Sequence, residues 1–359
     1  MTNREKLIKT LRREGCKGVP VDFVLCPSQI EAFEKRFGHA DYQSWFGLYH
    51  REVVVELEAQ FEDGRKLYKE ELPADTKIDE WGVARSKGSD AAMHMTHMHN
   101  PLKGECSMED IRNYPYPKIK AAERERVTRE VEELHAQGLA AVGVMQMTVW
   151  EKAWYIRSME DLMADMMCGE ESAELHFDKV TAISCERAAI HAECGCDVIQ
   201  LGDDIGMQQS IMMSVDLWRE WVKPRLVKVV QAAKAVNPDV LIFYHSCGHI
   251  LPFLEELADA GVEILNPIQP ECMNVEDVHA RIGDRMSFWG TIGTQQVLPF
   301  GTPEQVRAEV RKNLNLCGSQ GGIVVAPTHV VEPEVPWENL LALVDECRAW
   351  EKARGSVTV

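Results

Sequence analysis

The sequence predicts an α/β chain closed into a (β/α)8 TIM barrel. Two observations lead there. Short, continuous apolar runs alternate with amphipathic helical patterns through the second half of the chain, which is the signature of a parallel sheet covered by helices. The competing doubly wound fold usually announces a nucleotide with G-x-G-x-x-G after its first strand, and no glycine-rich phosphate loop occurs anywhere. The 359 residues exceed the usual length of one domain, but α/β barrels do so routinely. With no internal repeat and no low-complexity linker, one domain over 1–359 is expected.

The elements follow in order. The N-terminal stretch MTNREKLIKTLRREG reads as a polar amphipathic helix without a signal-peptide apolar region. Strand runs are VPVDFVL (19–25), LAAVGVMQM (139–147), DVIQLGDD (197–204), VLIFYHSCG (240–248), VEILNPIQ (262–269), MSFWGTIG (286–293) and GIVVAPTH (322–329). Helical patterns such as VDLWREWVKPRLVKVVQAAKAV and TPEQVRAEVRKNLNLCG separate the later ones. That makes seven strands, with an eighth expected somewhere in the irregular stretch 53–87. Residues 76–117 (DEWGVARSKG, AAMHMTHMHNP, YPYP) read as an inserted hairpin and loop that lies over the barrel mouth.

Composition narrows the function. A formal net charge of −18 argues against nucleic acid and anionic membrane, and no apolar run reaches the length of a membrane span. Eleven scattered cysteines suggest reduced thiols and a cytoplasmic home. A small-molecule enzyme, or a module docking a basic partner, fits this balance; homo-oligomerisation stays open.

A barrel places its chemistry at the C-terminal strand ends. Here those ends carry Gln146, Asp203, Asp204, His245, Cys247, Asn266, Gln269, Thr291, Thr294, Thr328 and His329. In His245-Ser-Cys247 the two outer residues face one side of an extended chain, and imidazole nitrogen with thiolate sulfur suits zinc. Alone the pair is weak evidence, and a hydrogen-bonded histidine beside a buried thiol is the plainer reading. His329 in APTHVVEP supplies a third donor, and three protein ligands with one open position describe a catalytic zinc site. Cys272 in the loop after NPIQP is the reserve ligand, whereas Cys317 sits in a helical pattern and reads as core. Asp203 and Asp204 are either a base or cation site, or a helix cap and a solvated neighbour. Glu151 points into the pocket or merely favours a helix start. His94, His97 and His99 among Met93, Met95 and Met98 suggest a soft-metal site less than an edge hairpin offering a sulfur-rich surface. Cys194-Gly-Cys196 precedes a strand and looks structural.

Taken together, these stretches resemble the uroporphyrinogen decarboxylase superfamily from about Pro20 to Val344. The resemblance is carried by LGDDIG, LWREWVKPRL, YHSCGHILPFLEELADAGVEILNPIQ, WGTIGTQQVLPFGTPEQV and PTHVVEPEVPWENLLALV, with IDEWGV and YPYP in support. It implies the (β/α)8 barrel. The decarboxylases of the superfamily bind a polycarboxylate tetrapyrrole without metal and carry R-Q-A-G-R after the first strand. Here that place reads DFVLCPSQI, without the guanidinium groups such a substrate needs. The other branch, corrinoid-dependent methyltransferases such as the methylcobamide:coenzyme M enzymes, uses zinc with an H-x-C…C pattern. His245 and Cys247 match its first two positions, and His329 takes the third in place of cysteine. The resemblance therefore implies a zinc-dependent methyltransferase, either an O-demethylase or a methylcobamide:thiol enzyme. Zinc would be held by His245, Cys247 and His329, with Gln146, Glu151, Asp203 and Asp204 handling substrate and protons. The corrinoid (cobalamin) would arrive on a separate protein, because no D-x-H-x-x-G segment is present. The alternatives are a metal-independent decarboxylase and a non-catalytic corrinoid- or tetrapyrrole-binding barrel.

Overall fold

The computed structural model describes residues 1–15, 18–88 and 96–355. Its centre is a curled, seven-stranded parallel sheet: β1 (His50–Val53), β2 (Ala140–Val144), β3 (Val198–Gly202), β4 (Leu241–His245), β5 (Ile264–Asn266), β6 (Ser287–Ile292) and β7 (Ile323–Pro327). They pair in chain order, each parallel to the next. The predicted first strand lies against β7 through a parallel bridge between Val21 and Val325, and a second parallel bridge joins Leu25 to Val331 in the loop beyond β7. Eight parallel segments thus follow one another round a TIM-barrel-like fold.

The sequence misplaced one of them. The strand expected within 53–87 is β1, which begins at His50. Its sequence HREV puts three polar residues in four, so no apolar run marks it. The polarity has a structural cause: His50 and Glu52 line an internal cavity.

Alternation along the strands separates two cores. Phe243 of β4 faces inward with Val142, Val198, Ile264 and Trp289, where Leu7 and Leu11 of the N-terminal helix Asn3–Leu11 plug the lower end. Ile242 and Tyr244 face outward against the covering helices. That N-terminal helix starts where it does because Thr2 and Glu5 form a reciprocal capping box. The long helix Pro303–Cys317 starts the same way on Thr302 and Gln305, with proline in its first turn.

The inserted stretch is a three-stranded antiparallel sheet (Lys77–Ile78, Ala84–Lys87, Thr96–His99) followed by the helix Met108–Asn113. It docks on the helix Trp150–Arg157: the Leu102 N–H donates to the Ile156 carbonyl at 3.0 Å, and Arg157 donates to the carbonyls of Leu102 and Gly104, both at 2.7 Å. Met93, His94 and Met95 lie outside the described residues. His99 is taken up by a hydrogen bond with Ser86 at 2.8 Å. No described helix is long and apolar enough to cross a membrane.

Candidate metal and substrate site

The loops after β3 and β4 meet at the C-terminal edge of the sheet, backbone against backbone. A Cβ on Gly206 would sit 2.7 Å from the Cys247 carbonyl oxygen, and one on Gly248 would sit 2.7 Å from the Met207 carbonyl oxygen. Gly248 also has φ +84°, which L side chains resist. Only glycine at both positions lets the loops approach this closely. Hydrogen bonds then join them: Asp203 N–H to the His245 carbonyl (3.0 Å), His249 N–H to the Met207 carbonyl (2.7 Å), Ile205 N–H to Ser246 Oγ (3.1 Å), and Cys247 N–H to Asp204 Oδ1 (2.7 Å).

This apposition brings one donor atom each from Asp204, His245 and Cys247 within 4.8 Å of one another. His245 Nε2 lies 3.4 Å from Cys247 Sγ and 3.6 Å from Asp204 Oδ1. Asn266 fixes the imidazole. Its Nδ2 donates to the Trp289 carbonyl at 2.6 Å, which leaves Oδ1 to accept from His245 Nδ1 at 2.5 Å. The network therefore assigns the proton to Nδ1 and leaves the Nε2 lone pair facing the thiol and the carboxylate. Burial lowers the His245 pKa, against the pull of Asp204, and so favours the neutral ring that a metal requires. Burial, and then Asp204, push the Cys247 thiol up, so a cation at this point would be needed to hold its thiolate. Neutral imidazole nitrogen, sulfur and carboxylate oxygen converging in this way form a donor set that fits zinc.

Behind this set stands Glu151, held by a backbone N–H and a phenol. The Asp204 N–H donates to Glu151 Oε2 at 3.0 Å, and the Tyr155 hydroxyl donates to Glu151 Oε1 at 2.9 Å. Burial, and then the Asp204 charge, raise the Glu151 pKa to about 7, the range in which a carboxyl group exchanges protons near neutral pH. Lys152 beside it is pushed by burial down to about 8. Asp203 is fully buried and plays a different part, since its carboxylate accepts from the N–H groups of Val149 (3.1 Å) and Glu151 (2.9 Å). It anchors the start of helix Trp150–Arg157, where no side chain caps locally.

Beside this donor group the mouth opens into a cavity of about 290 Å³, lined among others by His245, Asn266, Gln146, His329, Asp22, His50 and Glu52. Gln146 and His329 thus share the cavity with His245. His329 is exposed, and it is Asp204 that completes the close group with His245 and Cys247. Cys272 donates to Gln269 Oε1 at 3.7 Å and stands outside that group. Cys196 is buried against His191 Nδ1 at 3.7 Å, in keeping with a structural role.

Sequence reasoning set Asn266 among the polar strand ends without giving it a role, and left Tyr155, Asp22, His50 and Glu52 out of the site. Asn266 alone carried a signal, as a polar residue ending an apolar strand. Tyr155 becomes visible only as the residue one helical turn beyond Glu151.

The uroporphyrinogen decarboxylase (URO-D) family model matches residues 93–350. Uroporphyrinogen decarboxylase of Chlorobium luteolum is 30% identical over 178 residues, 48% of each chain. The methylated-thiol–coenzyme M methyltransferase of Methanosarcina mazei is 27% identical over 204 residues, 55% of this chain and 50% of that one. The chain thus spans about half the length of the curated relatives it matches. Among solved structures, a methyltransferase from Methanosarcina mazei superposes with a TM-score of 0.67 at 21% identity, covering 98% of this chain and 99% of that one; this likeness supports the fold.

Proposed function

Because the chain belongs to the uroporphyrinogen decarboxylase family, we propose that it is a zinc-dependent methyltransferase of that family, moving a methyl group between a small methyl ether or thiol and a corrinoid protein. The observation that carries this reading is the convergence of His245, Cys247 and Asp204 at the sheet's C-terminal mouth, beside a cavity large enough for a small substrate. On this reading the residue 20–25 segment is the eighth strand of a closed (β/α)8 barrel forming one domain.

When bound, zinc would supply Lewis acidity at the substrate oxygen or sulfur, and the corrinoid its methyl-carrying cobalt. The chain's own residues do the rest. His245 Nε2 and Cys247 Sγ hold the metal, with Asp204 or His329 as the third ligand and Cys272 in reserve. Asn266 keeps the Nδ1 proton away from the metal side. Glu151, poised near neutrality by burial, takes the proton from an incoming thiol or returns one to a departing alkoxide. Gln146 in the cavity wall orients the substrate. Asp203 positions Glu151 through the helix it anchors.

The test is metal analysis of wild type beside Cys247→Ser, each purified without added metal and then equilibrated with zinc. About one zinc per chain, lost in the variant, is expected. Zinc in neither protein removes the reading and brings the metal-independent decarboxylase forward.

A further inference from the structure

The far side of the cavity has a chemistry the donor group does not use. Asp22 and Glu52 both line it, four and three strands round the sheet from β4, together with Phe243 and Trp289 of the inner core. No lysine or arginine belongs to its described lining. Asp22 Oδ2 accepts from Trp289 Nε1 at 2.9 Å, which fixes both the carboxylate and the indole. His50 lies edge-on to Trp289, with ring centroids 5.1 Å apart. It is only 6% exposed, yet its ring makes no hydrogen bond among the described residues, and Nε2 stands 3.8 Å from Asp22 Oδ1, beyond hydrogen-bond reach. His50 thus faces the cavity with its nearest charged neighbour, Asp22, held off at ion-pair distance rather than hydrogen-bonded, which leaves room for a bound group between them. Glu52 adds a second carboxylate to the lining, on the open, solvent-exposed side of the cavity.

We propose that the Asp22, Glu52 and Trp289 wall is a subsite for a positively charged tail, so that the substrate carries an ammonium group at one end and the sulfur or oxygen that meets His245 and Cys247 at the other. Carboxylates and a fixed indole recognise an ammonium through charge and through the ring face. The same wall repels a sulfonate or carboxylate tail. The subsite rests on the metal–heteroatom reading for the substrate's other end, and on the cavity alone for its own charge preference.

The test uses three thiols of one skeleton. Cysteamine, 2-mercaptoethanol and 2-mercaptoethanesulfonate differ only in a positive, neutral or negative tail. Titration calorimetry on the full zinc-loaded chain is expected to rank them in that order, with cysteamine about tenfold tighter than the sulfonate. In the double variant Asp22→Asn with Glu52→Gln the difference should shrink to near nothing, while zinc content stays unchanged. A flat or reversed order in wild type overturns the proposal, and so does an order that survives in the variant. If the zinc-loaded chain binds none of the three, the metal–thiol reading falls, and the tail subsite is judged on metal-free protein with tetramethylammonium against ethanesulfonate. Preference for the ammonium that the double variant loses upholds the subsite; any other result ends it.

Discussion

Replacing Asn266 with alanine tests the site without touching a ligand. Asn266 Oδ1 is the acceptor that pins the His245 proton on Nδ1 at 2.5 Å. Without it the ring can carry its proton on Nε2, where Asp204 Oδ1 waits 3.6 Å away, and that tautomer cannot bind a metal through Nε2. Loss of such an outer partner typically weakens metal affinity by about 10–100-fold, equivalent to about 1.4–2.7 kcal/mol. Competition against a chromophoric zinc chelator near neutral pH measures it directly. Asn266→Asp is the companion variant: it keeps an acceptor for His245 Nδ1 while losing the donor to the Trp289 carbonyl, so its zinc affinity should exceed that of Asn266→Ala. If folded Asn266→Ala holds zinc within about twofold of wild type, His245 does not ligate through Nε2 and the assignment built on it is wrong.

Three further outcomes are expected. Asp203→Ala removes the acceptor of two buried backbone N–H groups at the start of Trp150–Arg157, and chemical denaturation should show a loss of about 2–4 kcal/mol. Glu151 has a folded-state pKa raised from 4.5 to about 7, so its contribution to stability is whole below about pH 4.5 and lost as pH rises through about 7. Glu151→Gln should therefore gain stability relative to wild type between about pH 5 and about pH 8, by up to about 3 kcal/mol, and denaturation midpoints across that range check the sign. Gly248→Ala must place a Cβ 2.7 Å from Gly206 and Met207 backbone atoms at φ +84°; a stability loss of at least about 2 kcal/mol, measured by thermal or denaturant unfolding, is expected.

What the sequence made legible follows from burial. Strands β2 to β7 are covered on both faces and therefore read as apolar runs with polar ends, which exposed His245, Asp204 and Gln146 as residues at one rim. β1 escaped because its inner face lines a polar cavity: His50 and Glu52 disguised a strand as a loop. Asp203 and Asp204 were indistinguishable in sequence, being adjacent and alike. Only the fold turns one toward a helix start and the other toward Cys247. The preference for Asp204 over His329 as the nearest third donor is likewise a matter of tertiary approach, since it depends on two loops meeting through Gly206 and Gly248.

That glycine contact has a kinetic consequence. The loops are joined by two backbone–backbone hydrogen bonds, Asp203 N–H to the His245 carbonyl and His249 N–H to the Met207 carbonyl, and by a third from Ile205 N–H to Ser246 Oγ, none of which uses a candidate metal donor, so the loop backbones should stay together whether or not a metal is present. Exchange of one ion for another should then proceed at a rate set by ligand release and access through the mouth, with no unfolding step. A chelator would strip the protein reversibly, and cobalt(II) could replace zinc as a visible reporter in a chain that never loses its shape.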